Sequence, residues 1–471
     1  MTVRFVLNGE PVTVSDIDPH VTLLQWLRSS GRTGTKEGCA EGECGACAVA
    51  FVAKDAHGRT RFESINSCLV PLWTVAGRSL VSVEGIARED GTLHPVQEAM
   101  VRQGGSQCGY CTPGFVVSLF CEYYRPGRVG YDPESISGNL CRCTGYRPIA
   151  DVARALPRAG ADDPWVRVLA REAPPPVPVR QRGEVPFERP TSLARVFECF
   201  AECPGAVLLA GGTDLMVYAN QRYQRWPMLV ALDAIEELHR FEVSEDEMRI
   251  GAAASLSHLE ERLVADLRGE AVALEALFPL FSSRLIRHRA TLGGNLATGS
   301  PIGDAPPVLL ALEAQVTLAS ARGTRRLPLS DFFLGYRKTA LERGEVIVSV
   351  HLPRPMPKWQ RFYKVSKRVL DDISTVAGAF ALDLGPDATV ARLRVAYGGI
   401  AATPLRALAV EQRAQGLPWT RETLALLLDE VRQVGTPMTD ARGSAAYRAA
   451  MAGKLLERFF HETSAAGEVA S

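Results

Sequence analysis

The sequence lacks the features that mark membrane-spanning, exported and nucleic-acid-binding proteins. No apolar run approaches the roughly 18 residues that a membrane helix needs. Residues 1–9 contain neither the hydrophobic region of a signal peptide nor a twin-arginine motif. The 53 basic residues balance the 53 acidic ones, which argues against nucleic acid or an acidic membrane surface as a partner. Together these absences favour a cytoplasmic protein.

Several catalytic signatures are missing as well. We find no His/Glu zinc motif, no candidate Ser–His–Asp set and no internal repeat. Cysteine, in contrast, is plentiful: eight of the 11 cysteines fall into two sets of four. In a protein that is not exported, clustered cysteines indicate metal or cofactor binding before disulfide bonds. The 471 residues, 46% of them hydrophobic, are enough for about three domains.

One set consists of two close pairs, each placed directly before a helical pattern. The four residues are Cys108, Cys111, Cys141 and Cys143. Thr112 and Pro113 suit a helix cap and first turn, and a second helical stretch covers residues 149–156. Helix N-termini carry partial positive charge and free N–H groups, which suit thiolates around an anionic centre. The pattern predicts a four-thiolate metal or iron–sulfur site; the alternative is four free core cysteines.

The other set has the spacing Cys-x4-Cys-x2-Cys with a fourth cysteine further along, which is typical of a plant-type [2Fe–2S] site. Its members are Cys39, Cys44, Cys47 and Cys68. We expect Gly38, Gly42 and Gly45 to allow the sharp turns of a loop that wraps a cluster. Zinc is the rival occupant, although zinc sites usually show two similar cysteine pairs. Two one-electron centres in adjacent small domains predict a path that carries electrons.

Several elements can be placed around these sets. Residues 3–14 predict a hairpin turning at Asn8-Gly9, residues 21–30 a helix and residues 48–53 a strand. A proline-rich linker is expected between the cysteine-rich region and the rest of the chain. Further strands are predicted at 345–352 and 376–384, and a C-terminal helix at 444–460. Cys121, Cys199 and Cys203 are expected to pack in cores.

Two glycine-containing loops suggest a pyrophosphate ligand. A buried strand at 206–210 runs into Gly211-Gly212, a turn that presents consecutive N–H groups to a phosphate. A second loop, residues 291–295, is followed closely by residues 300–304. Two such loops suit a pyrophosphate better than a single phosphate, which favours FAD over FMN. His288, just upstream, is expected to be structural rather than catalytic.

These motifs, in this order, resemble the xanthine dehydrogenase family of molybdenum hydroxylases, and in particular the small iron–sulfur/FAD subunit of its bacterial two-subunit members. The stretches that carry the resemblance are Glu43–Cys47, Gln107–Gly114, Gly138–Tyr146, Gly293–Asn295, Ser300–Asp304 and Phe332–Thr339. The resemblance covers nearly the whole chain and implies an α+β multidomain fold. Its expected parts are a β-grasp plant-type ferredoxin domain (1–78), a helical-bundle [2Fe–2S] domain (79–157), a linker (158–190), an α+β FAD-binding domain (191–352) and an α+β C-terminal flavoprotein subdomain (353–471).

The resemblance also assigns roles to individual residues. The Cys39 set would hold the cluster nearer the flavin and the Cys108 set the one nearer a molybdopterin, with Gln107 and Cys143 closest to the pterin. The residues implied to contact FAD are Leu208, Leu209, Ala210, Gly211, Gly212, Thr213, Asp214, Leu215, Thr291, Gly294, Asn295, Ser300, Asp304, Val346, Ile347 and Lys364. Tyr336 and Asp214 would lie on the nicotinamide side. The loop 364–372 would lie near the flavin ring, but Val369-Leu370 replaces a charged pair there and leaves NAD+ or oxygen open as the acceptor.

The resemblance implies one part of an enzyme complex. The molybdenum-binding portion would belong to a partner, a large molybdopterin-binding subunit in a heterotetramer of two small and two large subunits, so no catalytic residue is expected on this chain. Electrons would pass from hypoxanthine or xanthine, in purine catabolism, through two [2Fe–2S] clusters and FAD to NAD+. Two alternatives stay open: the same part of another molybdenum hydroxylase, acting on an aldehyde, an N-heterocycle or an aromatic thioester, or a stand-alone NADH–acceptor oxidoreductase.

Overall fold

The computed structural model describes residues 2–88 and 90–468, with side chains through residue 464. The chain divides into two compact units. Unit 1 contains the chain as far as Glu236 together with the short segments Ser255–His258 and Ser282–Ala290. Unit 2 contains Glu237–Ala254, Leu259–Phe281 and the chain from Thr291 onward.

Unit 1 begins with a five-stranded sheet in the order β2-β1-β5-β3-β4, which confirms the predicted β-grasp domain. Its elements are β1 (Thr2–Leu7), β2 (Glu10–Ser15), α1 (Leu23–Ser29), β3 (Ala48–Lys54), β4 (Thr60–Asn66) and β5 (Ser79–Val81). The hairpin turns at Asn8 and Gly9, both with positive φ, as the sequence predicts. Thr22 caps α1 in a reciprocal capping box with Gln25, so the helix begins slightly later than expected.

The helical part of unit 1 surrounds one long apolar helix. Its helices are α2 (Pro95–Arg102), α3 (Thr112–Tyr123), α4 (Arg147–Ala155) and α5 (Pro164–Leu169). From Gly114 to Tyr123 every residue of α3 is buried, which explains why its sequence is apolar on all sides. The cap prediction was wrong by one residue: Cys111 is the N-cap and Thr112 is already helical. The Thr112 hydroxyl lies 2.7 Å from that of Ser106.

The region 158–190, expected to be a linker, contains regular structure. Besides α5 it forms β6 (Val179–Gln181) and β7 (Phe187–Arg189), and β7 pairs in parallel with a later strand. The sheet that results has the order β6-β7-β9-β8. Its other elements are α6 (Leu193–Glu202), β8 (Val207–Leu209), α7 (Leu215–Gln221) and β9 (Leu229–Ala231). The proline run 174–178 itself has no regular structure.

Unit 2 is built on two sheets. The first has the order β10-β11-β16-β12-β13, is antiparallel throughout and packs with short helices. In chain order the elements are β10 (Phe241–Val243), β11 (Glu247–Gly251), α8 (Leu256–Asp266, which begins in the Ser255–His258 segment of unit 1), α9 (Val272–Leu277), α10 (Arg284–Arg287, in the Ser282–Ala290 segment of unit 1), α11 (Leu292–Ala297), α12 (Ala305–Ala311), β12 (Gln315–Ser320), β13 (Gly323–Pro328), β14 (Phe333–Gly335), β15 (Lys338–Thr339) and β16 (Val346–Pro353).

The second sheet of unit 2 has the order β17-β18-β19-β20 and is covered by the C-terminal helices. The elements are β17 (Trp359–Val365), β18 (Val376–Leu384), β19 (Val390–Gly398), β20 (Leu405–Arg406), α13 (Leu408–Ala414), α14 (Arg421–Val431) and α15 (Ala445–Glu468). Phe380 on β18 stacks on Phe459 of α15, with ring centroids 5.2 Å apart. The strand predicted at 376–384 agrees with β18, and the C-terminal helix is longer than expected.

Within residues 2–88 and 90–468, no helix combines the length and apolar character that crossing a membrane requires.

Candidate iron–sulfur and flavin sites

Strand pairing brings the last two cysteines of the first set together. Cys47 lies directly before β3, and Cys68 lies in the 3-10 turn Ser67–Leu69 directly after β4. Because β3 and β4 pair with Ala48 opposite Asn66, the two sulfur atoms end 3.3 Å apart. Both side chains are buried, each about 2% exposed. The sheet itself therefore fixes half of this thiol set.

The loop before β3 supplies the other two thiols. Cys39 Sγ accepts the Glu41 N–H at 3.5 Å, and its hydrogen bond with Cys44 lowers the pKa of Cys39 to about 5. Gly42 and Gly45 have positive φ, as the predicted sharp turns require. Gly38 does not, and its role is one of space: a Cβ there would lie 2.7 Å from Cys44 Sγ. A larger residue at Gly38 would occupy the space that the Cys44 thiol fills.

The second set also forms from two pairs, at the starts of α3 and α4. The thiol of Cys143 forms a hydrogen bond with that of Cys108, which raises the pKa of Cys143. Cys111 forms a hydrogen bond with Cys141. Burial, with that bond, raises the pKa of Cys111 to about 12. Burial would also raise the pKa of Cys141, but Thr144 donates to its sulfur through its hydroxyl and its N–H, and the pKa is lowered. Cys108 and Cys143 are exposed, as is Gln107 beside them.

The donor chemistry of both sets fits a binuclear cluster. In residues 2–88 and 90–468, no three or more His, Cys, Asp or Glu side chains are arranged so that they could hold one metal ion. The thiols instead meet as two pairs per set: Cys39 with Cys44, Cys47 with Cys68, Cys108 with Cys143 and Cys111 with Cys141. Four cysteine thiolates are the donors of a [2Fe–2S] cluster, in which each iron takes two of them. The pairing favours such a cluster over one zinc ion; the ligand assignments stay a prediction.

Direct backbone contact links the two sets. The Leu140 N–H, adjacent to Cys141, donates to the carbonyl of Cys44 at 2.9 Å. The Asn139 side chain donates to the Gly45 carbonyl at 3.1 Å. A Cβ on Gly114 would lie 2.2 Å from the same carbonyl oxygen, so this approach requires glycine. Sequence reasoning missed Asn139 and this use of Gly114, although both lie in the stretches that carried the resemblance.

The glycine turn after β8 packs on the backbone of Arg289, and the helix that follows it, α7, binds the first cysteine loop. A Cβ on Gly211 would lie 1.9 Å from the Arg289 carbonyl oxygen, so close backbone packing alone accounts for this glycine. From α7, Asn220 donates to the carbonyls of Ala40 and Cys68 at 2.9 and 2.8 Å, and Gln221 donates to that of Cys39 at 2.7 Å. Helix α7 therefore braces the Cys39 set. Phosphate contact by the predicted residues Leu208–Leu215 stays a prediction.

His288 has the structural role that the sequence suggested. Its Nδ1 lies 2.8 Å from the carbonyl oxygen of Ser64, on β4, and so donates its proton there. Burial lowers the pKa of His288 to about 4, against the smaller raising effect of Glu63. The imidazole is therefore neutral at pH 7. Cys121 and Cys199 are buried and Cys203 is half-buried, in keeping with core packing.

In unit 2, the first turns of α11 contain a buried polar atom without a hydrogen-bond partner among the described residues. Thr291 caps the helix by accepting the Gly294 N–H at 3.1 Å, and a Cβ on Gly293 would lie 2.8 Å from the Ala252 carbonyl oxygen. Asn295 Oδ1 is buried and has no hydrogen-bond partner among the described residues. An orphaned acceptor beside a glycine turn fits the polar contacts that a flavin nucleotide needs.

Asp304 and Lys364 form a buried ion pair in unit 2. Lys364 Nζ lies 2.8 Å from Asp304 Oδ2 and also donates to the Leu280 carbonyl at 2.7 Å. The Ser374 hydroxyl donates to the other oxygen of Asp304. Burial raises the pKa of Asp304, while Lys364 counters that effect. The pair can hold the 300–304 loop and the end of β17 in one arrangement.

The remaining predicted residues have varied positions. Val346 and Ile347 are buried at the start of β16, opposite Ala319 and Leu318. Tyr336 is exposed between β14 and β15, and Asp214 is exposed directly before α7. Ser300 Oγ accepts the Ile302 N–H at 3.4 Å. None of this tests the roles assigned to them.

Comparison with known proteins agrees with the order of these sites. Four family models match, described as a 2Fe-2S iron-sulfur cluster binding domain (residues 5–72), a [2Fe-2S] binding domain (82–154), an FAD binding domain in molybdopterin dehydrogenase (182–355) and a CO dehydrogenase flavoprotein C-terminal domain (361–463). With the fold described above, these define the class: an iron–sulfur flavoprotein with two cluster domains and an FAD-binding domain.

Relatives place the chain within that class. It is 31% identical to xanthine dehydrogenase 1 of Arabidopsis thaliana over 93% of this chain, and 31% identical to the xanthine dehydrogenase of Emericella nidulans over 98%. In each case the match spans 38% of the relative's length. The chain belongs to the molybdenum hydroxylase family and corresponds to the iron–sulfur and flavin-binding part of its members.

Solved structures resemble more than half of the chain. A carbon monoxide dehydrogenase chain from Hydrogenophaga pseudoflava has a TM-score of 0.54 and 29% identity, covering 59% of this chain and 96% of that one. A chain of quinoline 2-oxidoreductase from Pseudomonas putida 86 has a TM-score of 0.54 and 25% identity, covering 60% of this chain and 97% of that one. Both named enzymes are oxidoreductases, and their names differ in substrate.

Proposed function

We propose that the chain is the electron-transfer part of a xanthine dehydrogenase. A partner that holds a molybdenum cofactor would oxidise hypoxanthine or xanthine, and NAD+ would be the final acceptor. When bound, the two [2Fe–2S] clusters carry electrons singly and FAD collects two for transfer to NAD+. The similarity to xanthine dehydrogenases over nearly the whole chain supports this choice.

The observation that carries the proposal is the direct contact between the two thiol sets. The hydrogen bond from Leu140 to the Cys44 carbonyl joins a residue next to Cys141 to a residue of the other set. Gly45 and Gly114 meet backbone to backbone, and the Asn139 side chain donates to the Gly45 carbonyl at the same point. A short, rigid connection of this kind is what electron transfer between two centres requires.

The chain's residues perform distinct tasks in this proposal. Cys39, Cys44, Cys47 and Cys68 would hold one cluster, and Cys108, Cys111, Cys141 and Cys143 the other. Asn220 and Gln221 keep the loop around Cys39 fixed by binding its carbonyls. In unit 2, Asn295 would supply an acceptor to FAD, and the Asp304–Lys364 pair would hold the adjacent loop.

Exposure differs between the two thiol sets and supports the proposed direction of electron flow. Cys47 and Cys68 are buried, whereas Cys108 and Cys143 are exposed together with Tyr110 and Leu140. An exposed redox pair surrounded by exposed apolar residues suits a protein partner. We therefore place the molybdenum-bearing subunit, and the entry of electrons, at the Cys108 set.

The proposal is tested by purifying the chain with its co-purifying partner. Expected results are about four iron atoms and one FAD per chain, a molybdenum-containing partner, and reduction of NAD+ by xanthine. A fully active preparation with only about two iron atoms per chain would show that one of the two proposed clusters is absent. Full activity on quinoline or an aldehyde without activity on purines would assign another substrate class, which the resemblance to quinoline 2-oxidoreductase makes the second candidate. If no molybdenum-containing partner co-purifies, the result would favour a stand-alone NADH–acceptor oxidoreductase.

A further inference from the structure

We propose that Arg448 is a positioning residue for the flavin-binding loop 300–304, an inference that rests on the flavin binding proposed above. Arg448 lies on α15, more than 140 residues after that loop, and is about 1% exposed. No motif in the sequence pointed to it. Its importance comes from the three chain segments that its guanidinium joins in unit 2.

The guanidinium binds two backbone carbonyls and one carboxylate. One terminal nitrogen donates to the carbonyls of Thr375 and Gly399, the latter at 3.0 Å. The other donates to Asp440 Oδ1 at 2.7 Å. Thr375 directly precedes β18 and Gly399 directly follows β19, so Arg448 ties together the adjacent ends of two paired strands.

One strand end holds the start of the flavin loop. The Gly399 N–H donates to the carbonyl of Pro301 at 2.8 Å. Gly399 has a φ of +84°, and a Cβ there would lie 2.4 Å from the Thr375 carbonyl oxygen. The backbone at Gly399 therefore has little freedom once Arg448 has bound its carbonyl, and the position of Pro301 follows from it.

The other strand end holds the last residue of the flavin loop. Ser374, adjacent to Thr375, donates its hydroxyl to Asp304. The Thr375 N–H donates to the Val365 carbonyl at 2.7 Å, next to Lys364, whose ammonium pairs with Asp304. Arg448 thus fixes the residues that hold both Pro301 and Asp304.

The chemistry of this position requires arginine. A planar guanidinium offers five donors in a fixed fork, so that one residue can bind two carbonyls and a carboxylate at once. Lysine keeps the charge but is a point donor on a flexible stem and cannot reproduce that geometry. Asp440 compensates the buried charge, and its side chain is about one-third exposed, which makes it a milder site for substitution.

The test compares FAD affinity across variants of the full chain after removal of the flavin. Dissociation constants are measured by quenching of flavin fluorescence in wild type, Arg448→Lys and Asp440→Asn. Arg394→Lys is the matched control, because Arg394 is about 5% exposed on β19 and binds Glu313 and Asp383 instead. The melting temperature of the flavin-free protein is measured alongside, since both arginine substitutions should lower it.

We expect Arg448→Lys to weaken FAD binding by about tenfold or more, as loss of residues that support ligand-binding groups commonly does. Asp440→Asn should weaken it less, and Arg394→Lys should leave it within about twofold of wild type. FAD affinity of wild-type strength in folded Arg448→Lys, or an equal loss in Arg394→Lys, would overturn the role of Arg448. Neither result would affect the proposed function of the chain. If Arg448→Lys does not fold, unchanged affinity in Asp440→Asn overturns the role of Arg448. A wild-type chain without FAD affinity would overturn the proposed function as well.

Discussion

At the scale of single residues, the two thiol sets depend on glycines for different physical reasons. Gly38 and Gly114 provide space, because a Cβ at either position would collide with a thiol or a carbonyl. Gly45 combines both demands, with a φ of +62° and a Cβ position 2.2 Å from the Gly138 carbonyl oxygen. It lies between Cys44 and Ala46, where the two sets meet. Gly45 is therefore the position at which a methyl group should do most harm.

Gly45→Ala should destabilise the chain by about 3 kcal/mol or more, the sum of left-handed strain and a backbone clash. Gly58→Ala is the matched control, because Gly58 has a φ of +78° and no described atom within 4 Å of its Cβ position. It should cost only about 1 to 2 kcal/mol. Urea unfolding of both variants, with iron content, measures the difference. Equal losses would show that the close contact between the sets is not rigid.

The pH dependence of stability tests the buried imidazole of His288. Its folded pKa of about 4 lies below the ordinary 6.5, so the unfolded chain binds a proton that the folded chain does not. This contribution is complete above pH 6.5 and is lost as the pH falls towards 4, by about 3 kcal/mol at most. His288→Asn, which keeps a donor to Ser64, should flatten that slope in urea titrations. His57→Asn, at an exposed position, should keep the wild-type slope; identical slopes in all three proteins would contradict the assignment.

At the scale of elements, the sequence was most informative where local rules decide the structure. The Asn8-Gly9 turn requires positive φ, and the strand predicted at 376–384 agrees with β18 because its apolar residues are buried in a central strand. It was least informative for 158–190, where β7 exists because it pairs with β9 some forty residues away. Arg189 in β7 then binds Asp233, a contact that no local pattern signals.

The candidate sites show the same division. The cysteine spacing predicted both thiol sets, since ligand spacing is a local property of the chain. It could not reveal that α7 braces the first set, because Asn220 and Cys68 are 152 residues apart. Arg448 gives no local signal either, because its partners Thr375 and Gly399 are distant in sequence. Residues that hold a site from a distance leave no periodic or motif signal in one sequence.

Asn220 links α7 to the first cysteine loop and can be tested directly. Asn220→Ala leaves the carbonyls of Ala40 and Cys68 without their donor, which should cost about 1 to 3 kcal/mol and expose this loop. We expect faster loss of iron to a chelator, measured as bleaching of the visible absorbance. Gln224→Ala, on an exposed stretch just beyond α7, is the control. Equal chelation rates in the two variants would show that α7 does not hold the first cysteine loop.

In the whole molecule, the proposed function requires the two clusters and the flavin to act as successive electron carriers. The chain spans about two fifths of the length of its xanthine dehydrogenase relatives, and the matched part contains both cluster domains and the flavin domain. The exposed thiols of Cys108 and Cys143 contrast with the buried Cys47 and Cys68. This contrast is what a chain requires if electrons enter from a partner at one set and leave through the other.

We propose that electrons enter at the Cys108 set, and the decisive experiment is Cys143→Ala in the complex with its partner. Xanthine-dependent reduction of NAD+ should be abolished, whereas NADH-to-dye activity, which needs only the flavin end, should remain largely intact. Cys203→Ala, a half-buried cysteine outside both sets, should preserve both activities. If Cys143→Ala removed both activities in a folded protein, or spared xanthine oxidation, the proposed order of carriers would be contradicted.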